Sequence, residues 1–483
     1  MTAILVLDIG TTSVRAAIVD ERLQIVTMAR RSSPPATPFP GLVEFDAAEL
    51  IRVVLDAAAE AIDAVAGRID VVGITNQRAS TILWDRATGE PIAPALGWQD
   101  LRTVGECIAA RAEHDLTLAP NQSATKVAWL LDHVEGARDR DLCFGTVDTW
   151  LAWSLAGGAL HVTDHTNAAV TGLLALDGGD WSGRVLDLLG VPAGLLPRLT
   201  DSSGVVGEAT ALPGSPPIAC LVGDQQASLV GQGCVEPGMA KITFGTGGML
   251  DVCGGTDAPA SAKRSEHGTY PIVAWSREGS LTWGAEAIML SAGTNVEWLR
   301  DDLGLITDSA ESHDVASSVE GSDGVLYVPA LLGLGTPHWD YGARGTLLGL
   351  TRGTTRAHVV RAVLEGIAHR GADMVDATEA DTGLSIAALR VDGGMSANPT
   401  FTQALADATG RPVEVSPVIE ATTLGAAFLA GLAVGVWSDI TDADRSWTPA
   451  RVDEPATPLD RDAWSRAVGR ALAWYPELSA LDV

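Results

Sequence analysis

Two short segments rich in glycine and hydroxyl residues have the composition of phosphate-binding loops. The first, at residues 8–15, reads Asp-Ile-Gly-Thr-Thr-Ser-Val-Arg and separates two apolar strands predicted at 3–8 and 14–19. Its glycine lets the backbone approach an anion closely, and its hydroxyl and N–H groups can donate to phosphate oxygens. Asp8 could hold Mg²⁺ through water, and Arg15 adds a positive charge. The alternative for this segment alone is an ordinary polar β-turn.

A second segment of the same kind, Thr243–Gly248, lies between two further strands predicted within residues 240–252. The two tips each open one half of the chain. They are expected to face each other across a cleft and to hold the terminal phosphates of a nucleotide. A third loop, Asp392–Asn398, follows an apolar strand and precedes a helix. Gly393 and Gly394 permit the close approach that a purine needs, although a plain strand-to-helix turn would have the same sequence.

Asp224 is the candidate for acid–base chemistry. It follows an apolar strand predicted at 217–222 and precedes a helix, in the sequence Gly-Asp-Gln-Gln. A carboxylate at this position faces the cleft, where a general base for an alcohol would lie. On this ground alone, a helix N-cap is an equal alternative.

Several other motifs are missing from the sequence. No lysine is followed by serine or threonine, so there is no Walker-type phosphate loop. The Gly-x-Gly pairs lack the third glycine of the dinucleotide-binding fingerprint. Neither His-Glu-x-x-His nor Gly-x-Ser-x-Gly occurs. A nucleotide would therefore have to be bound by the tips described above.

Composition narrows the class of protein further. The 483 residues are 46% apolar, which excludes a disordered chain. The net charge of −29 argues on electrostatic grounds against a nucleic-acid or anionic-membrane partner. None of the five cysteines forms a Cys-x-x-Cys pair, as expected of reduced cytosolic thiols. No signal peptide precedes Asp8, and the apolar runs are too short to span a bilayer. We therefore expect a cytoplasmic protein.

Periodicity along the chain predicts two α/β halves. The first half opens with a β-meander and a helix at 46–67 that Asp46 caps, and strands alternate with helices to about residue 230. The second half opens at 240–252 and continues with a helix at 356–379, a strand at 388–392 and a helix after Asn398. The predicted domains are residues 1–233 and 234–445.

A tail at 446–483 completes the predicted organisation. It is rich in proline and charge until a last amphipathic helix at about 460–474, which has Trp464, Val468 and Leu472 on one face. This face should pack on the body of the protein.

Over nearly the whole chain, the sequence resembles the FGGY carbohydrate kinases, in particular the glycerol kinase branch. The stretches that carry the resemblance are D-I-G-T-T-S-V-R-A (8–16), G-I-T-N-Q-R (73–78), W-Q-D-L-R-T (98–103), G-T-V-D-T-W-L (145–151), T-D-H-T-N-A (163–168), G-D-Q-Q (223–226), E-P-G-M-A-K-I-T-F-G-T-G (236–247), G-L-G-T-P-H-W-D (333–340), A-R-G (343–345) and R-V-D-G-G-M-S-A-N (390–398).

The resemblance implies two ribonuclease-H-like domains of the actin and hexokinase type, with ATP in the cleft between them. It also implies roles for individual residues. Asp224 matches the catalytic base, and Asp8 matches the aspartate associated with Mg²⁺. The residues that match the acceptor pocket are Arg78, Trp98 and Gln225, together with Asn121 as the aligned position of a family tyrosine. Those that match the ATP site are Thr11, Thr12, Ser13, Arg15, Thr246, Gly293, Gly394 and Asn398.

Two positions depart from the glycerol kinase pattern. Ala79 stands where a glutamate follows the pocket arginine in that branch, and Asn121 stands where the branch has a tyrosine. The loss of a carboxylate and a phenol removes hydrogen bonds and enlarges the pocket. Because sites that hydrogen-bond their substrate discriminate steeply, these changes affect specificity, and glycerol is expected to be a weaker substrate than a longer polyol or ketose.

The predicted reaction transfers the γ-phosphoryl group of MgATP to a hydroxyl of a small polyol. The acceptor would be glycerol, giving glycerol 3-phosphate, or a related four- or five-carbon polyol or ketose. The competing class is a non-catalytic ATP-binding regulator or scaffold of the same superfamily, which would need the ATP loops but neither a base nor an acceptor pocket. The choice between a homodimer and a homotetramer stays open.

Overall fold

The computed structural model describes residues 2–65 and 68–480. The strands of the first half are β1 (Ile4–Ile9), β2 (Ser13–Val19), β3 (Ile25–Ser32), β4 (Glu44–Phe45), β5 (Val71–Asn76), β6 (Ile82–Asp85), β7 (Ala95–Leu96), β8 (Leu142–Gly145), β9 (Val162–Asp164), β10 (Arg198–Thr200), β11 (Ser203–Glu208) and β12 (Pro217–Gly223). Those of the second half are β13 (Ala240–Phe244), β14 (Gly248–Gly255), β15 (Tyr270–Arg277), β16 (Ser280–Met289), β17 (Leu326–Val328), β18 (Thr346–Leu348), β19 (Leu389–Asp392), β20 (Val413–Val415) and β21 (Arg451–Asp453).

Helices alternate with these strands. They are α1 (Ala47–Asp63), α2 (Val104–His114), α3 (Ala124–His133), α4 (Val147–Leu155), α5 (His165–Ala169), α6 (Gly183–Leu189), α7 (Asp224–Gly231), α8 (Gly293–Asp301), α9 (Glu311–Ser317), α10 (Arg356–Thr382), α11 (Pro399–Thr409), α12 (Ala421–Ala433), α13 (Asp442–Ser446), α14 (Arg461–Ala471) and α15 (Pro476–Ser479). Among the described residues, none of these helices is long and apolar enough to cross a membrane.

A mixed sheet of 13 strands runs through the described part of the chain, in the order β21-β20-β19-β13-β14-β16-β15-β11-β12-β5-β1-β2-β3. Each half opens with an antiparallel hairpin, as predicted. In β1–β2, Asp8 pairs with Arg15, and in β13–β14, Thr243 pairs with Met249. The halves join where β11 lies beside β15.

The first long helix shows how local sequence sets an element's bounds. The Asp46 side chain accepts hydrogen bonds from the N–H groups of Ala48 and Glu49, which are otherwise unpaired at a helix start. This confirms the predicted N-cap. The helix ends at Asp63 rather than at residue 67, and residues 66–67 of the predicted span lie outside the described residues.

Two helices from different halves cross at small residues. A Cβ atom on Gly425 of α12 would lie 1.8 Å from the carbonyl oxygen of Ala227 in α7, and one on Gly231 would lie 2.0 Å from that of Ala421. Only glycine permits this approach. The contact seats α12 against the sheet of the first half, where Phe428 and Leu429 join a core that includes Ile4. It also brings the start of α12 to the first phosphate-type tip.

The last amphipathic helix forms as α14 and packs on the body. It begins at Arg461 and ends at Ala471, within the predicted span. Trp464 and Val468 are buried in one cluster with Val328 and Leu334, and Leu472 packs against it partly buried. The predicted apolar face is therefore confirmed.

Candidate functional site

The first tip joins β1 to β2, and tight backbone bonding shapes it. The Gly10 N–H donates to the Ser13 carbonyl at 2.9 Å, and Thr12 accepts from the Ser33 N–H at 2.9 Å. Ser13 is buried, whereas the Thr12 side chain is exposed. The tip therefore presents a fixed set of hydroxyl and N–H groups at the end of a buried strand.

The Asp8 carboxylate ends β1 beneath this tip and is buried. Its Oδ2 accepts from Arg15 Nη1 at 2.9 Å and from Thr423 Oγ1 at 3.1 Å, the latter on α12. Arg15 Nε also lies 3.4 Å from Glu420. Asp8 is thus held by both halves of the chain.

Asp224 is the first residue of α7, at the end of β12, and Gly223 is the N-cap. The Asp224 Oδ1 accepts from the adjacent Gln225 N–H at 2.8 Å. Because Gly223 is the N-cap and Asp224 already lies inside the helix, the N-cap alternative is wrong. The side chain keeps 28% of its surface exposed. Burial raises the pKa of Asp224, and the positive charge of Arg78 opposes the rise. A carboxylate whose pKa is raised and which still reaches solvent suits a general base.

Arg78 lies between carboxylates from opposite halves. Its Nε is 3.4 Å from Asp224 Oδ1, and its Nη2 donates to Glu286 Oε2 at 2.6 Å. Both Arg78 and Glu286 are about nine-tenths buried. Burial raises the pKa of Glu286, Arg78 opposes the rise, and the nearby Asp251 adds to it.

A second cation, Lys241, extends this network to Gln225, the residue after Asp224. Lys241 is fully buried, and its Nζ donates to Gln225 Oε1 at 2.6 Å and to Thr243 Oγ1 at 3.0 Å. It also lies 2.7 Å from Asp251 Oδ2. Asp251 is directly opposite Glu286 in the β14–β16 ladder, so the two buried carboxyl groups share one face of the sheet.

Trp98 is hydrogen-bonded to the first tip. Its indole Nε1 donates to Thr11 Oγ1 at 3.1 Å. The buried Lys126 donates to the carbonyls of Gly97 and Trp98 at 2.8 and 3.2 Å. Burial lowers the pKa of Lys126 to about 7. The lysine therefore fixes the segment that carries Trp98.

The two departing positions lie on the same side of the site. Ala79 is buried with a positive φ of 60°, and its carbonyl accepts from Ser123 Oγ at 3.0 Å. Asn121 is exposed two residues before Ser123. Neither side chain supplies an anionic or aromatic group there.

The second tip packs against the start of α8. The Gly293 N–H donates to the Gly245 carbonyl at 2.9 Å, and Thr246 accepts from the Ala292 N–H at 2.8 Å. A Cβ atom on Gly293 would lie 2.5 Å from the Gly245 oxygen. Thr246 is exposed at the tip.

The third loop lies under the same tip. Gly393 has a φ of 85°, and a Cβ atom there would lie 2.4 Å from the carbonyl oxygen of Phe244. Gly394 follows in a short 3-10 turn, and Asn398 caps α11 through the N–H groups of Thr400 and Phe401. Thr246, Gly293, Gly394 and Asn398 are therefore assembled around one loop cluster of the second half.

The carboxylates of Asp251 and Glu286 and the ion pair between Lys241 and Asp251 were not identified from the sequence. Each of the two acids is a single charge within an otherwise apolar strand, in M-L-D-V-C and G-A-E-A-I. A lone carboxylate in a buried strand is seldom tolerated unless it is paired. That pattern was the available signal.

A partly buried carboxylate with a raised pKa, an arginine beside it and hydroxyl-rich tips between two α/β halves form an arrangement that is suited to phosphoryl transfer. Comparison with known proteins gives the family. The N-terminal-domain model of the FGGY family of carbohydrate kinases matches residues 3–231, and the C-terminal-domain model matches residues 240–434. The chain belongs to this family, which confirms the predicted class of phosphotransferase, its use of ATP and its actin- and hexokinase-like fold.

Its relatives include several glycerol kinases. One from Bordetella parapertussis is 46% identical and covers 98% of this chain and 97% of its own length. One from Deinococcus radiodurans is 42% identical over 99% of both chains. The crystal structure of Plasmodium falciparum glycerol kinase with ADP superposes with a TM-score of 0.91 at 30% identity, over 98% of both chains.

Proposed function

We propose that this enzyme transfers the γ-phosphoryl group of ATP to a primary hydroxyl of a small polyol, either glycerol, giving glycerol 3-phosphate, or a related four- or five-carbon polyol or ketose. The observation that carries the proposal is the pairing of Asp224 with Arg78 at 3.4 Å. The glycerol kinases among the relatives support a polyol acceptor.

Asp224 orients the attacking hydroxyl and takes its proton as the bond to phosphorus forms. Arg78, Trp98 and Gln225 position the acceptor, with Asn121 at the pocket's rim. The transition state of phosphoryl transfer is loose, so positioning and neutralisation of charge dominate catalysis. Closing the two halves would exclude water and limit ATP hydrolysis.

The ATP phosphates lie between the two tips in this proposal. Thr11, Thr12, Ser13 and Arg15 bind from the first, and Thr246 from the second. Gly293, Gly394 and Asn398 line the adenosine side. The domains would be residues 1–233 and 234–445, with the tail at 446–483 packed on the second.

Asp8 fits a role beside Mg²⁺. This ion is usually bound by one or two carboxylates, waters and substrate phosphates rather than by a dedicated protein cage. The described residues contain no cluster of three or more metal-ligating side chains, and Asp8 supplies a single buried carboxylate below the first tip. When bound, Mg²⁺ neutralises charge on the phosphates.

A coupled ADP-release assay tests the proposal, with ATP, Mg²⁺ and acceptors of three to six carbons. Wild-type protein should release ADP only when an acceptor is present. Asp224→Asn should lower kcat by at least ~10², the range for loss of a general base, while ATP binding measured by calorimetry is kept. Near-wild-type turnover by that variant would overturn the assignment of the base. A non-catalytic ATP-binding protein would show no acceptor-dependent release.

A further inference from the structure

A cavity of about 390 Å³ lies between the two halves of the described chain. The first half lines it with the segment after α2, including Ala119 and Gln122. The second half lines it with the loop before β15 and with Tyr270, His338 and Trp339. Pockets that bind small molecules measure roughly 300–1,000 Å³.

The sheet register connects this cavity to Arg78. Tyr270 lies directly opposite Glu286 in the β15–β16 ladder, so their side chains share a face. Glu286 is the residue whose Oε2 lies 2.6 Å from Arg78 Nη2. On the other wall, Gln122 of the cavity is the neighbour of Asn121. One wall of the cavity therefore lies beside the Glu286–Arg78 ion pair, and the other wall carries the residue that follows Asn121.

The walls have the chemistry of a site for a hydroxylated carbon chain. Tyr270 and Trp339 meet edge to face with ring centroids 5.3 Å apart, and Trp339 Nε1 is already bonded to the Gly268 carbonyl. The tryptophan thus offers its ring rather than its N–H. Partial desolvation and the positive charge of Arg370 lower the pKa of His338, which favours the neutral imidazole. A neutral imidazole can both donate to and accept from hydroxyl groups.

We propose that this cavity is the outer part of the acceptor site and that it takes the distal hydroxyls of an uncharged polyol or ketose of four to six carbons. The inference rests on the proposed kinase function. Ala79 and Asn121 offer no anionic or aromatic group to a three-carbon acceptor, whereas a longer one reaches the partners in the cavity.

The charges of the cavity favour an uncharged ligand. Its basic residues are Arg111, Lys263 and Arg264, and its acidic residues are Asp115 and Glu266. Lys263 Nζ lies 3.6 Å from Asp115 Oδ1, and Arg264 lies over the Trp339 ring at 5.1 Å. These cations already interact with groups of the wall. A site for a sugar acid would instead direct a cation at the carboxylate of its ligand.

The test compares acceptors in the ADP-release assay: glycerol, erythritol, xylitol, sorbitol, xylulose and gluconate. A hydroxyl that loses its partners in a hydrogen-bonding site costs roughly tenfold or more in kcat/KM. One of the uncharged four- to six-carbon acceptors should therefore exceed glycerol by roughly tenfold or more. A preference for glycerol or for gluconate overturns the inference and leaves the kinase function standing. If none of the acceptors in the panel stimulates ADP release, both the inference and the proposed kinase function are overturned.

Two single variants and one double variant make the result specific to the cavity. Ala119→Phe narrows it and should lower kcat/KM for the long acceptor by roughly tenfold while the value for glycerol is unchanged; Ala193→Phe, an exposed position outside the cavity, should alter neither. Ala79→Glu combined with Asn121→Tyr should shift preference toward glycerol. Equal losses for both acceptors in Ala119→Phe would contradict the assignment of the cavity.

Discussion

Arg78 and Glu286 are 208 residues apart in sequence and form a buried ion pair of 2.6 Å across the two halves of the chain. The arginine that would hold the acceptor is therefore oriented by the opposite half. Because Arg78 also lies beside Asp224, the position of the second half is coupled to the electrostatics of the base.

Glu286→Gln should lower kcat/KM for the acceptor more than it changes the KM for ATP. The amide keeps the shape but removes the charge that holds Arg78, and a hydrogen bond to a charged group contributes ~1.5–3 kcal/mol. We expect acceptor kcat/KM to fall roughly ten- to a hundredfold, with the KM for ATP within about twofold of wild type. The control is Glu379→Gln, which disrupts a 2.7 Å ion pair with Arg411 outside the site. Equal acceptor kinetics in the two variants would contradict the proposed role.

The activity should depend on pH through Asp224. A base must be ionised, and burial raises the pKa of this carboxyl above the ordinary aspartate value of ~3.9. Activity is therefore present above the raised pKa and lost as pH falls through it. A profile of kcat/KM for the acceptor should have its acid midpoint above ~3.9, provided that ATP binding is unchanged over the range. Because Arg78 opposes the rise, Arg78→Gln should move the midpoint higher; a midpoint that moves lower would exclude this account.

Trp98→Phe should impair the use of both the acceptor and ATP. The change keeps an aromatic ring and deletes the donor that bonds Thr11 Oγ1 at 3.1 Å. The loss of one neutral hydrogen bond, ~0.5–1.5 kcal/mol, predicts a fall of roughly two- to tenfold in kcat/KM for both substrates. Trp474→Phe is the matched control, since Trp474 is exposed. An effect confined to the acceptor would show that this bond does not connect the two sites.

Gly293→Ala should act on the nucleotide side alone. The added methyl group would lie 2.5 Å from the Gly245 carbonyl and would push the second tip away from α8. Calorimetry should show ATP affinity lowered by roughly tenfold, the size expected for a displaced set of phosphate donors. Gly183→Ala, at a helix start where a Cβ atom meets nothing within 4 Å, should leave ATP affinity unchanged. Wild-type affinity in Gly293→Ala would remove the second tip from the phosphate site.

Local features of this protein were predictable from sequence. The hairpin tips at 8–15 and 243–248, the Asp46 cap, the strand-to-helix step at Asp224 and the buried face of α14 depend on residues within about one turn of each other. Their preferences act through short-range sterics and hydrogen bonds, so the sequence carries them directly. The end of α1 was less predictable, because a helix frays where its caps are weak.

The sequence by itself determined the family, the two α/β halves and the candidate base. Only the tertiary structure decided that Glu286 orients Arg78, that Asp251 faces Glu286 across a ladder, and that Tyr270 lines a cavity beside them. These relationships depend on strand register and on how the halves pack. Register is set by burial over the whole sheet, and a shift of one residue would turn every side chain to the other face. No pattern within one segment encodes such a choice.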